Sequence, residues 1–328
     1  MKETSTILIL NNMEKERILA IVVTHNRLEL LRGCIDALFK QTVTNFDILV
    51  VNNASTDGTR EYLNAQNSPR FKYVNRTIND GGAGGYHFGF SYALNNGYDY
   101  AWAMDDDTLP SFNALEELIR ASSILGDYGF LASLVLFSDG NLAKMNNCLL
   151  SSRITTKTAC YYQNNLYFLV KTATFVSFFV KTSTLKEYGL PIKEMFLWSD
   201  DTEFSSRISK EKPCFFIPQS IVIHRSISNY YPDLVTLKKE NFWKMELNIR
   251  NRFYIARRDG FIKILRFFAR HFLLIIKIFC KAKDSKLLRI WVVIKGTILG
   301  FFFFPSKSKY LKVSFFPPLT AVCIASTL

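Results

Sequence analysis

Residues 18–24 read ILAIVVT and run straight into His25-Asn26-Arg27. A continuous apolar run that ends abruptly in polar residues is the pattern of a strand buried on both faces of a parallel sheet. The next segments extend the pattern. Residues 28–40 place apolar side chains at Leu28, Leu31, Ile35, Leu38 and Phe39, a helical period. Residues 46–51 (FDILVV) predict a second buried strand, 59–67 a helix, 71–75 a short strand and 89–97 a helix. Residues 100–104 predict a strand that runs into three aspartates. This alternation predicts an α/β fold with a Rossmann-like, mostly parallel sheet and flanking helices. Ligands of such sheets sit beyond the carboxyl ends of the strands. The polar residues gather there, at 24–27, 52–57, 79–85 and 105–107.

Further along, residues 130–137 and 166–180 read as more strands. Residues 191–210 read as a loop entering a helix, and 213–224 as an apolar strand closing on His224. After Pro232 the chain is compatible with helix. The chain thus divides into a polar tail over residues 1–17, an α/β body over 18–232, and a helical C-terminal region over 233–328.

The chain has 328 residues, 48% hydrophobic and 21% charged, which excludes global disorder. Its net charge of +13 is unevenly placed. Residues 1–234 hold 22 basic and 24 acidic side chains, whereas residues 235–328 hold 19 basic and 4 acidic. In that region Phe261, Leu265, Phe268, Phe272, Ile275 and Phe279 form a helical apolar stripe among Lys and Arg. The mixture is too apolar for a nucleic-acid arm. It fits a helix lying in the lipid headgroup region, or a helix packed on the body, and both readings are compatible. No uninterrupted apolar stretch of about 18 residues argues for a spanning helix. The nearest, at 261–279 and 290–304, are broken by Lys263, Arg266, Arg270, Lys277 and Lys295. The run at residues 7–10 is too short for a signal-peptide core. Six cysteines without a CxxC pair or zinc spacing point to a reducing compartment.

Chemistry concentrates in two acidic clusters. Asp105, Asp106 and Asp107 are adjacent carboxylates after a predicted buried strand, and their repulsion needs relief. A hard divalent cation, Mn²⁺ or Mg²⁺, supplies it and keeps positions open for phosphate oxygens. His224, at a strand end, has an Nε2 suited to the same ion. The second cluster, Trp198-Ser199-Asp200-Asp201-Thr202-Glu203, reads either as an acidic first helical turn or as the home of a general base. Residues 79–85 (NDGGAGG) read as a flexible turn or as a loop allowing close approach of a ligand. Asp57 and Thr56 read as helix caps, as ligands of a nucleoside, or both.

Taken in order, VVTHNR, VNNASTDGT, NDGGAGG, MDDD and WSDDTEF resemble the family 2 glycosyltransferases of GT-A fold over residues 18–232, with some continuation over 248–258. The glycine-rich loop, the triple Asp and the terminal His are most similar to bacterial galactofuranosyltransferases, ahead of rhamnosyltransferases. The resemblance implies an inverting, metal-dependent transfer of galactofuranose from UDP-galactofuranose. The alternatives are a rhamnosyl- or other hexosyltransferase using a dTDP- or UDP-sugar, and a membrane-associated sugar-nucleotide-binding scaffold without chemistry. It carries nucleotide-sugar contacts onto Thr24, Asn26, Arg27, Asn53, Asp57, Asn79, Gly82, Gly84, Asp105 and Asp106. Asp105, Asp107 and His224 become metal ligands, and Trp198 and Glu203 acceptor contacts. Asp201 becomes the base, with Asp200 the alternative because Ser199 separates Trp198 from the Asp pair. The implied acceptor is a lipid-linked saccharide in bacterial surface polysaccharide synthesis. The basic tail then holds the protein peripherally on the anionic cytoplasmic face of the inner membrane, with no nucleic-acid partner.

Overall fold

A computed structural model describes residues 16–146, 148–150, 159–162 and 165–306. Most of the N-terminal tail and the chain beyond residue 306 lie outside the described residues.

One long sheet organises the body. Strands β1 (Ile18–Thr24), β2 (Asp47–Asn52), β3 (Phe71–Asn75) and β4 (Tyr100–Asp105) run parallel in the order β3-β2-β1-β4. The alternation of β1 explains its unbroken apolar run. Ile18, Ala20 and Val22 face helix α1 (Leu28–Phe39), which contributes Leu31, Cys34, Ile35 and Leu38. Leu19, Ile21 and Val23 face Tyr86, Phe90 and Ala93 on the other side. Helix α2 (Thr59–Asn64) links β2 to β3.

Beyond β4 the sheet is mixed, which corrects the mostly parallel expectation. Short β5 (Thr108–Pro110), β6 (Phe130–Phe137), β7 (Leu149–Leu150), β8 (Ala159–Tyr162), β9 (Asn165–Thr172), β10 (Phe178–Lys181) and β11 (Phe215–His224) complete the strands described. β10 lies antiparallel between β4 and β6, and β11 is parallel to β6 but antiparallel to β5 and β9. β9 and β10 therefore run in the same direction, on either side of the β6–β11 pair.

The glycine-rich segment departs from its prediction. It is not a loop before a helix at residue 89: helix α3 is Gly81–Asn95, so the glycines form its first turns. A Cβ at Gly85 would lie 2.4 Å from Val23 Cγ1, so the glycine lets α3 rest directly on β1. At Gly81, where φ is +70°, a Cβ would lie 2.0 Å from the Phe196 carbonyl oxygen. Close packing thus outweighs the roughly 1 kcal/mol per glycine that disfavours helix. Gly85→Ala is expected to cost about 1–3 kcal/mol by overpacking. A melting curve unchanged by that substitution would contradict the close approach.

Helices α4 (Ala114–Leu125), α5 (Thr182–Tyr188) and α6 (Asp200–Ser209) flank the sheet. After β11 come α7 (Phe242–Arg258), α8 (Phe261–Lys281) and α9 (Lys286–Phe301). They share their own apolar cluster, built on Met245, Ile249, Phe253, Phe267, Ile278 and Val292. The cluster is not detached from the body: Tyr254, Ile255 and Phe303 pack on Ala83, Ile192 and Met195.

Candidate active site

The polar ends of β1, β2, β4 and β11 converge. After β4 the chain turns sharply through Asp106 and Asp107 into β5, and β5 pairs with β11 so that Thr108 stands opposite His224. Arg225 N donates to the Asp107 carbonyl at 2.9 Å, locking the two segments together. A turn and a strand end distant in sequence thereby become one cluster.

Asp105, Asp107 and His224 present one ligand atom each, all within 4.8 Å of one another. His224 Nδ1 is 2.8 Å from Asn146 Oδ1. An amide oxygen only accepts, so Nδ1 carries a hydrogen, and Nε2, facing the carboxylates, is the nitrogen that offers a lone pair to a cation once it gives up its own proton. Asp107 Oδ1 is buried without a hydrogen bond, although His224 Nε2 lies 3.0 Å away. An orphaned buried carboxylate oxygen is costly. Two carboxylates and an imidazole whose tautomer is fixed suit a divalent cation. Burial pushes Asp105 up, and Asp107 adds to it. Burial acts on Asp107 too, but the His224 imidazole and Arg27 outweigh it and hold Asp107 below its usual value.

Asp106 turns the other way. Its carboxylate accepts from Thr24 Oγ1 at 2.8 Å and from Arg27 Nη1 at 3.3 Å. Burial pushes it up to about 7, against the opposing pull of Arg27. The same Arg27 nitrogen reaches Asp107 Oδ2 at 2.8 Å. Arg27 is 44% exposed, so its remaining donors face open solvent beside the cluster. Asn53 is buried, donates to the Gly81 carbonyl at 2.6 Å, and leaves Oδ1 without a partner.

The remaining expected nucleotide residues line the same edge. Asn26 Oδ1 accepts from Thr56 N at 2.7 Å, joining the β1 and β2 loops. Asp57 is exposed; it accepts from Thr59 Oγ1 at 2.6 Å and from Leu28 N at 3.0 Å, which fixes the starts of α2 and α1. Asn79 Oδ1 accepts from Gly81 N at 2.9 Å. A Cβ on Gly82 would meet nothing nearer than 4.0 Å, whereas one on Gly84 would strike the Asp80 side chain at 2.2 Å. Packing against Asp80 therefore calls for a glycine at 84.

The second acidic cluster opens α6. Phe196, Trp198 and Ser199 all have positive φ, near +64°, and this strained run delivers the chain to Asp200. It is held from α7. Asn251 Nδ2 reaches the carbonyls of Met195, Leu197 and Trp198 at 3.0, 3.2 and 2.8 Å, and Ser199 Oγ donates to Asn248 Oδ1 at 2.9 Å. Asp200 is buried, and burial together with Asp201 pushes it well above its usual value. Asp201 is half-buried; burial raises it to about 6, and its Oδ1 accepts from Thr202 N at 2.5 Å.

The two expected acceptor residues differ in placement. Glu203 is 1% exposed and carries ion pairs to Arg207 at 3.0 Å and Arg258 at 2.7 Å. Its role is to tie α6 to α7, because an unpaired carboxylate at that depth would be prohibitive. Trp198 is half-buried, with part of its ring against the α7–α9 cluster. Sequence reading passed over Asn146, which orients His224, and Tyr86, whose hydroxyl donates to Asp105 Oδ1. It also passed over the grip of Asn248 and Asn251. Two asparagines facing inward on an otherwise amphipathic helix were the available signal.

The chain belongs to glycosyl transferase family 2, which matches residues 19–182. It is a glycosyltransferase, and its mixed α/β architecture is GT-A-like. The galactofuranosyltransferase GlfT1 of Mycolicibacterium smegmatis is 25% identical over 268 residues, covering 76% of this chain and 86% of that protein. The undecaprenyl-phosphate mannosyltransferase of Micrococcus luteus is 36% identical over 107 residues, 32% of this chain and 44% of that protein. A crystal structure of GalNAc-T7 with UDP, GalNAc and Mn²⁺ is similar in fold at TM-score 0.53 and 14% identity, over 70% of this chain and 48% of that one.

Proposed function

We propose that the protein transfers galactofuranose from UDP-galactofuranose, with inversion, to a lipid-linked saccharide in bacterial surface glycan synthesis. The observation that carries the reaction type is the separation of two acidic sites. One is a ligand set of Asp105, Asp107 and His224, and the other a half-buried carboxylate, Asp201, on a different helix. A hydrolase would instead flank one bond with two carboxylates. The donor assignment is supported by likeness to GlfT1 over most of both chains. The acceptor class is supported by the likeness of part of the chain to an undecaprenyl-phosphate mannosyltransferase.

In this reading Thr24, Asn26, Arg27, Asn53, Asp57 and Asn79 seat the nucleotide, and Gly82 leaves room beside it. Asp105, Asp107 and His224 would hold Mn²⁺ or Mg²⁺, which supplies charge neutralisation to the departing diphosphate. Arg27, free on one side, steadies the same phosphates. Asp201 accepts the proton of the acceptor hydroxyl as its oxygen bonds to the anomeric carbon from the opposite face. The bond to the diphosphate breaks, and its electron pair leaves with UDP. Asp200, buried beside it, is the alternative base.

A donor screen tests this with purified protein, a polyprenyl-diphosphate saccharide acceptor and either metal. UDP release is expected from UDP-galactofuranose above UDP-galactopyranose, dTDP-rhamnose and GDP-mannose. Turnover of dTDP-rhamnose with none of UDP-galactofuranose would overturn the donor. Release from no sugar nucleotide would favour the scaffold.

A further inference from the structure

We propose that the outer face of α8 and α9 is a bilayer-docking surface that seats the protein on anionic lipid. Helix α8 has 21 residues, yet only Phe267 and Ile278 are buried. Phe261, Phe268, Phe272 and Phe279 stand exposed along one side, Phe272 at 64% and Phe279 at 67%. At intervals of seven, four and seven residues, they form a single stripe. On α9, Leu287 is 84% exposed and Trp291 50%. Soluble surfaces seldom leave so large an apolar patch in water.

The charges select the occupant. Residues 261–306 contain nine Lys and Arg against one acidic residue, Asp284. Lys277, Arg289 and Lys295 are neutralised by Asp233, Asp284 and Glu246. Lys263, Arg266 and Arg270 form no ion pair among the described residues. A second copy docking by the same face would oppose one cationic surface to another. An anionic bilayer instead accepts the Phe side chains at its headgroup boundary while Lys and Arg reach the phosphates. Among the described residues, no helix is long and apolar enough to cross a membrane, so the surface lies on the bilayer.

The platform is joined to the site. Phe253 of α7 packs on Phe267 and Phe268 of α8 with ring centroids at 4.9 and 5.6 Å. The same helix α7 grips residues 195–199 through Asn248 and Asn251. Docking therefore sets the orientation of Asp201 relative to the lipid plane. The binding claim itself holds whatever the donor sugar.

Flotation of the full chain on vesicles tests it. Vesicles of equal parts phosphatidylglycerol and phosphatidylethanolamine are expected to carry the protein upward, and pure phosphatidylcholine to carry much less. Salt near ~0.5 M is expected to weaken binding, as the Debye length falls well below its ~10 Å at 0.1 M. Phe272→Ser with Phe279→Ser should lower partitioning by about tenfold per substitution with an unchanged melting curve. Leu287→Ser with Trp291→Ser repeats the test on α9 if the first pair folds poorly. Full-length protein that stays down with anionic vesicles overturns the proposal. So does a concentration-dependent dimer in vesicle-free buffer that the Ser variants dissociate while vesicle binding is unchanged.

Discussion

Asp201→Asn is expected to turn over roughly 10²–10⁴-fold more slowly than the parent protein, with nucleotide affinity unchanged. The substitution keeps the shape and the hydrogen bonds to Thr202 but removes the proton acceptor. The environment separates the two neighbouring carboxylates. Burial and Asp201 push Asp200 well above its usual value, whereas Asp201, raised to about 6, is ionised at neutral pH. Only the ionised member can serve as base. A base raised to about 6 is lost as pH falls through that value, so turnover should decline on that acid limb. Asp201→Asn should abolish the limb along with most activity. Asp200→Asn changes a carboxyl that is buried and harder to ionise than Asp201, so its effect should be smaller. If Asp200→Asn is dead while Asp201→Asn keeps near-full turnover, the roles are exchanged, as Ser199, set between Trp198 and the Asp pair, forewarns.

Asp107→Asn, or chelation of the metal, should depress transfer by about 10³-fold or more, corresponding to the several kcal/mol of charge stabilisation a divalent ion supplies. Asp107 also pairs with Arg27 and approaches His224, so its loss disturbs more than one contact. Asn146→Ala separates these effects. It leaves the ligand set intact and removes the acceptor that fixes the His224 tautomer, together with a 3.3 Å hydrogen bond to Thr174 Oγ1. A loss of about 10–100-fold in metal affinity is expected for such an outer contact. Direct metal titration of the purified variants checks both. Full transfer in excess chelator would end the metal reading.

Where the sequence could be read depended on whether a local pattern had one physical cause. The run at residues 18–24 has one: both faces of β1 are covered, so nearly every side chain is apolar. The same reasoning reached the first four strands. The glycines of α3 misled because their cause lies elsewhere. Their lack of side chain answers Val23 and the Phe196 carbonyl, distant in sequence, and local propensity alone argued for a loop. Glu203 misled likewise, since an acidic first helical turn looks the same whether solvated or clamped by Arg258 from a helix 55 residues on. The metal cluster was legible because adjacent carboxylates announce their own repulsion. Asn146 was not, since nothing in one Asn declares which imidazole it will steady.

The asparagine of α7 also bears on how this protein can be recombined. Asn251 has two amide hydrogens and shares them among three carbonyls of residues 195–198. No single bond there is irreplaceable, but all three leave together. A chimera that keeps residues 18–232 and borrows another C-terminal region would release a backbone run in an unfavourable conformation, one turn from Asp201. The crossover point that looks natural in the linear chain is thus a poor place to cut. The smallest exchangeable unit extends at least through Arg258, which holds Glu203 from the far side. Lineages that swap acceptors by shuffling tails would have to carry α7 with the catalytic body and vary only the helices beyond it.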